Sequence, residues 1–121
     1  MKERRFRDLN PPLSPGVLQA LESSEGFSYE ATTPVQAATI PHFLTHKDVL
    51  VEAATGSGKT LAFAIPVIEI LLRSSMTSKI YEVGALVIAP SRELSSQIHG
   101  VFDIFTRFLE VRKFRLIICL T

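Results

Sequence analysis

A single cysteine, Cys119, leaves no partner for an internal disulfide and fits a protein kept in a reducing compartment. Its setting in "RLIICL" reads as a small buried hydrophobe rather than a nucleophile. Long apolar runs are missing too. None approaches the ~18 residues of a membrane span, and the charged N-terminus has no apolar stretch behind it to act as a secretory signal. The expectation is an intracellular chain with no membrane segment. Excess charge is also absent: 13 Lys and Arg against 12 Asp and Glu give a net charge of +1. No domain-wide positive field advertises nucleic acid, so any such contact has to be local. Basic residues gather at Lys2, Arg4, Arg5 and Arg7 and again at Arg112, Lys113 and Arg115, and both groups read as solvated surface or tail.

What is present suffices for one domain, since 121 residues of which 46% are hydrophobic can bury a core. Residues 1–16 contain "NPPLSPG", whose three prolines and glycine predict an extended lead-in. Val17, Leu18 and Leu21 then fall at helical spacing in "VLQALESS". Thr33 followed by Pro34 has the form of a helix N-cap with proline at the first helical position, opening a helix to about Thr45. The nearly continuous apolar run "KDVLVEA" (47–53) predicts a strand covered on both faces. A helix from Lys59 to about Ser74 should follow, kinked or restarted at Pro66. "GALVIAP" (84–90) reads as a second buried strand and "FRLIICL" (114–120) as a third. Between them, 91–110 carries Leu94, Ile98, Val101, Phe102, Phe105 and Leu109 on one stripe, an amphipathic helix. Alternating strands and helices imply an α/β fold with a three-strand parallel sheet, right-handed crossovers and flanking helices. Ligands on such sheets sit beyond the carboxyl ends of the strands, where the turns at 53–60 and 89–93 would fall.

The stretch "AATGSGKT" has the composition of a phosphate-binding loop. Gly56 and Gly58 allow the backbone to curl until successive N–H groups converge, and a helix starting there adds its positive end. Lys59 supplies a full charge to the outer phosphates, and the Thr60 hydroxyl can ligate Mg²⁺. The strict pattern has glycine where Ala53 stands, and a small residue still fits there. Ala53, Ala54, Thr55, Gly56, Ser57, Gly58, Lys59 and Thr60 are therefore the expected triphosphate site of a P-loop NTPase. Gln36, 23 residues before Lys59, has an amide able to donate and accept at the N6/N7 edge of adenine, and Phe27 and Tyr29 could stack on the ring. On chemistry alone, these three residues equally describe a polar helix face and packed aromatics.

"GFSYEATTPVQAATIP", "AATGSGKTLAFAIP" and "APSRELSSQI" together resemble the Q motif, motif I and motif Ia of DEAD-box RNA helicases, in that family's order. The similarity runs from about Phe6 to about Val111. "PPLSP" and "HKDVLVEAATGSGKT" look most like the branch associated with ribosomal RNA maturation, which implies a nuclear or nucleolar address. The resemblance implies the first RecA-like domain, with residues 17–121 forming an incomplete part of it. It implies ATP and Mg²⁺ as cofactors, Gln36 reading adenine, and Pro90, Ser91, Arg92 and Glu93 facing RNA. A helix beginning near Ser91 would present free N–H groups to an RNA phosphate, with Arg92 adding charge. Without the family, "PSRE" is an ordinary helix cap, and Arg92 could equally pair with a carboxylate. Two departures stand out. The family places its aromatic seven residues before the glutamine; Phe27 lies nine before Gln36, and Tyr29, seven before, lacks the preceding glycine, so either ring could stack. Ser91 stands where threonine is usual and keeps the hydroxyl.

The family's Asp-Glu-Ala-Asp motif, which would hold Mg²⁺ through water and orient the attacking water, has no counterpart, because no Asp-Glu pair occurs in these residues. The second RecA-like domain has none either. The expectation is a truncated helicase segment able to bind ATP but inactive alone, with open sheet edges and an uncovered sheet face. Two rivals remain. One is another P-loop enzyme, such as a DNA translocase or a small-molecule kinase, although a kinase would need more acceptor-binding charge than the lone arginine of "APSRELSSQI". The other is a non-catalytic ATP- or RNA-binding module.

Overall fold

The computed structural model of the chain describes residues 4–74, 83–109 and 116–120. Four helices and a small parallel sheet enclose one apolar core. Helix α1 (Pro15–Glu22) starts on a proline, whose missing N–H costs nothing in the first turn, and buries Val17, Ala20 and Leu21. Helix α2 (Pro34–Leu44) is fixed by a reciprocal capping box. The Thr33 hydroxyl accepts from the Gln36 N–H at 3.3 Å, and Gln36 Oε1 accepts from the Thr33 N–H at 2.9 Å. Helix α3 (Lys59–Ser74) buries Leu61, Ala62, Ala64, Ile65, Ile68 and Leu71. It continues through Pro66 without the restart that the proline allowed; tertiary packing around the fully buried proline holds the helix together. Helix α4 (Arg92–Phe108) turns the predicted stripe inward, with Ile98, Phe102 and Phe105 buried.

Strands β1 (Ala85–Ala89) and β2 (Leu116–Leu120) pair in parallel, Ala85 opposite Leu116 and Ala89 opposite Leu120, with α4 as the crossover. The predicted α/β class and parallel pairing hold, but the first of the three predicted strands, 47–53, does not form among the described residues. Residues 47–54 have no regular structure, Leu50 is fully exposed, and Val49 and Val51 are each 36% exposed. A strand exists only with a ladder partner, and among the described residues neither β1 nor β2 pairs with this segment. The expectation of a strand covered on both faces fails on both counts, since 47–52 are neither paired nor buried.

The second strand is also not covered on both faces. Val87 and Ile118 pack against the core, while Leu86, Ile88 and Ile117 on the opposite face are 58%, 57% and 43% exposed. Cys119, opposite Ile88 in the register, shares that open face and is half-buried rather than enclosed.

The start of the chain packs more than its composition suggested. Phe6–Asp8 form a 3-10 turn, and Phe6, Leu9 and Leu13 enter the main core at 0%, 3% and 6% exposure. Proline and glycine forecast the absence of a long helix here, not the absence of burial. This lead-in also runs beside residues 30–32. Phe6 N–H donates to the Glu30 carbonyl at 3.0 Å and Thr32 N–H to the Arg4 carbonyl at 2.7 Å.

The lead-in is further tied to α1 by Arg7 and Glu22, whose Nε–Oε1 distance is 3.0 Å. The hydrogen bond from Arg7 holds the Glu22 carboxyl below its ordinary range, so the pair stabilises the fold while Glu22 is ionised. Above the unfolded value of 4.5 that contribution is complete, and it is lost as pH falls through the lower folded value. Thermal melts should therefore show Glu22→Gln melting slightly below the parent at pH 7. The two curves should converge on acidification below pH 4.5. A gap independent of pH would contradict the pairing.

Candidate nucleotide site

The loop before α3 turns sharply at two glycines in the left-handed region, Gly56 at φ +83° and Gly58 at φ +85°. The Ala54 carbonyl closes the turn by accepting from Ser57 N–H at 3.2 Å and from Ser57 Oγ at 2.6 Å. Gly58 is constrained twice. A Cβ there would lie 2.5 Å from Gln36 Nε2 and 3.1 Å from Thr33 Oγ1, so any side chain would push the loop off the start of α2. The helix that begins at Lys59 leaves its first-turn N–H groups without intrahelical partners. Lys59 itself is exposed, and its ammonium donates to the Ala53 carbonyl at 2.7 Å. Its charge thus rests on the loop's own backbone, one side-chain rotation from the curl.

Between this loop and the start of α2 lies a cavity of about 440 Å³ lined by Tyr29, Ala31, Thr33, Gln36, Gly56, Gly58, Thr60 and Leu61. Gln36 bridges its two walls. Oε1 holds the Thr33 N–H, and Nε2 donates to the Gly58 carbonyl at 3.2 Å. An amide oxygen accepts two hydrogen bonds and an amide nitrogen donates two, so each end of Gln36 has one bond to spare. Thr60 lines the cavity, and its hydroxyl is a hard oxygen donor of the kind that Mg²⁺ accepts. Among the described residues no group of three or more His, Cys, Asp or Glu could hold a metal unaided.

The two candidate aromatics separate. Phe27 packs against Phe105 on α4 with ring centroids 5.0 Å apart, and it does not line the cavity. Tyr29 lies parallel to Phe27 at 6.2 Å, is 52% exposed, and forms part of the cavity wall. Ala53, Ala54, Thr55 and Ser57 build the turn without lining the cavity, and Lys59 borders a neighbouring apolar space of about 320 Å³ with Val49, Val51 and Phe63. Thr33 and Ala31 are wall residues that the sequence reading did not assign to the site. Thr33 carried a signal, the Thr-x-x-Gln capping pattern; Ala31 carried none.

The second candidate stretch follows β1. Ser91 caps α4 by accepting from Leu94 N–H at 3.2 Å, and Pro90, Ser91, Arg92 and Glu93 are all exposed. Arg92 forms no ion pair among the described residues, which leaves its guanidinium open to solvent.

The sequence model of the DEAD/DEAH box helicase family matches residues 33–119, spanning both stretches. The chain is 54% identical over 105 residues, 87% of its length, to "DEAD-box ATP-dependent RNA helicase 18" of Oryza sativa subsp. japonica. It is 57% identical over 97 residues, 80% of its length, to "ATP-dependent rRNA helicase SPB4" of Mycosarcoma maydis. It spans only 16% and 12% of those two proteins. Its fold is similar to that of DEAD-box helicase Mss116 bound to ssRNA and UDP-BeF, at a TM-score of 0.82 and 24% identity over 98% of this chain and 28% of that one.

Proposed function

The chain belongs to the DEAD/DEAH box helicase family, and from that membership we propose that it forms the ATP-binding part of the first RecA-like domain of an RNA helicase. The observation that carries this reading is the cavity itself. It brings Tyr29, Thr33 and Gln36, at and before the start of α2, against Gly56, Gly58 and Thr60, at and before the start of α3. One wall offers a hydrogen-bonding amide and a ring, as a base requires. The other offers a curled backbone and a hydroxyl, as phosphates and Mg²⁺ require. In this reading Lys59 leaves the Ala53 carbonyl for the outer phosphates when ATP enters, Gln36 spends its spare donor and acceptor on adenine, and Tyr29 stacks on the ring.

The exposed start of α4 is the RNA contact of the same reading. Its N–H groups and Arg92 would grip a backbone phosphate, which positions a strand without reading its sequence. Relatives named as rRNA helicases make ribosomal RNA the substrate class we assign to the longer protein, with a nucleolar address. Hydrolysis and unwinding are assigned to that longer protein too, because these residues contain no Asp-Glu pair to hold Mg²⁺ and orient water.

Gln36→Glu tests the base reading. It keeps the acceptor of the capping box, removes the Nε2 donor that faces Gly58 and the cavity, and adds a carboxylate charge that bears on ATP and GTP alike, so the ratio of the two affinities is the readout. Calorimetric titration of the parent with ATP·Mg²⁺ and GTP·Mg²⁺ should favour ATP by about tenfold, the worth of one hydrogen bond to a buried site, and the variant should lose that preference. An unchanged ratio would remove Gln36 from base recognition. Failure of the parent to bind ATP·Mg²⁺ at all would overturn the nucleotide site.

A further inference from the structure

Glu69 is the one fully buried carboxylate among the described residues, at 1% exposure on α3, and it forms no ion pair among them. Its charge is held by one residue of the lead-in. Ser14 N–H donates to Oε1 at 2.7 Å, and the Ser14 hydroxyl donates to Oε2 at 2.8 Å. Ser14 occupies the N-cap of α1 and makes no side-chain cap to its own helix; its hydroxyl is turned toward Glu69 instead.

Ser14 is also followed by Pro15. Its backbone is extended, at φ −62° and ψ 148°, and the preceding residues 9–13 have neither helix nor strand. Pro12 and Pro15 are exposed and Ser14 is half-buried. An extended Ser-Pro pair on an irregular surface segment is the form in which proline-directed protein kinases accept a hydroxyl.

We propose that Ser14 is a phosphorylation site for a proline-directed kinase, and that a phosphate there releases the lead-in from α3 and loosens the adjoining wall of the cavity. In the transfer, Ser14 Oγ attacks the γ-phosphorus of ATP held by the kinase. The new Oγ–P bond replaces the bond to the bridging oxygen, ADP departs with that electron pair, and the hydroxyl proton passes to the kinase's base. The product has lost the O–H that Glu69 accepted and carries nearly two negative charges beside a carboxylate that has no ion-pair partner among the described residues. The α1 N-terminus offsets only about half an elementary charge, so repulsion wins and residues 9–14 move away. The same lead-in pairs with Glu30 and Thr32, which alternate with the cavity residues Tyr29, Ala31 and Thr33, so loosening spreads to that wall. Only the link to nucleotide affinity rests on the function proposed above.

The test is to treat the 121-residue protein with a proline-directed kinase and ATP, map the phosphate by peptide mass, and follow amide hydrogen exchange. The expected result is one phosphate on Ser14, absent in Ser14→Ala, with exchange at Leu9, Leu13, Ser14 and residues 28–33 accelerated about tenfold or more. In Glu69→Gln, which removes the opposing charge, phosphorylation should accelerate exchange far less. The idea is overturned by no uptake at Ser14 when a peptide spanning 9–20 is phosphorylated, or by uptake only at Thr33, the other hydroxyl followed by proline. Uptake at Ser14 with unchanged exchange overturns it equally. Exchange is read without nucleotide, so failure to bind ATP·Mg²⁺ would fall on the reading of the cavity and leave that of Ser14 standing.

Discussion

Lys59→Ala should weaken ATP·Mg²⁺ binding by about ten- to a hundredfold or more, the equivalent of losing the ~1.5–3 kcal/mol of a charge-assisted hydrogen bond together with its Coulomb attraction. The ammonium is a formal positive charge held on the loop itself, and its present partner is a neutral carbonyl, Ala53, that a phosphate would outcompete. The side chain is exposed and supports no core packing, so the folded state should barely notice its removal. Melting temperatures of variant and parent should agree closely, which separates lost affinity from lost structure. The defect should also grow with the number of phosphates. AMP, which on the proposed reading would reach only the Gln36 and Tyr29 side of the cavity, should bind both proteins alike, while ADP and ATP should diverge. Calorimetric titrations across the three nucleotides give the comparison directly. Equal ATP affinity in the two proteins, or an equal loss for AMP, would take Lys59 out of the phosphate site.

What could be read from the sequence was local, and what could not depended on remote partners. The glycine pair at 56 and 58, the Thr33 N-cap with Pro34 and the apolar stripe of α4 each encode their geometry within a few residues, and each takes the expected form. The segment 47–53 shows the limit. Its side chains demand burial, but strand formation is decided by hydrogen bonds from another part of the chain, and composition does not name the donor. The choice between Phe27 and Tyr29 failed to resolve for the same reason: Phe105, far along the sequence, is what draws one ring into the core and leaves the other at the cavity. Glu69 is the clearest case. Within "IPVIEILL" it looks like an acidic interruption of an apolar helix, and only the fold reveals Ser14 waiting for it. Leu86, Ile88 and Ile117 leave one face of the sheet exposed among the described residues. An apolar face of that kind favours association in concentrated solution.

Phe105→Ala should be the most destabilising single change in the described core. The ring is fully buried on α4 and meets Phe27 at 46° between ring planes, so deleting it removes both apolar transfer and a specific aromatic pair. Large-to-alanine changes at such positions cost about 3–5 kcal/mol, against a total stability of about 5–15 kcal/mol for a domain. At roughly 4 °C per kcal/mol for a chain of this size, the melting temperature should fall by about 12–20 °C. Phe105→Leu keeps most of the volume and should lose less than half as much. The effect should also reach the cavity, since Phe27 stacks between Phe105 and Tyr29 and loses its backing when the first ring goes. At a temperature where the alanine variant is still folded, affinity for AMP should drop more than the phosphate-dependent increment from AMP to ATP. That is the reverse of the pattern expected for Lys59→Ala. A melting shift of only a few degrees would mean that α4 does not seat Phe105 against Phe27. An intact AMP affinity in a strongly destabilised variant would mean that the column of rings ends at Phe27 and that Tyr29 holds its place through the loop backbone alone.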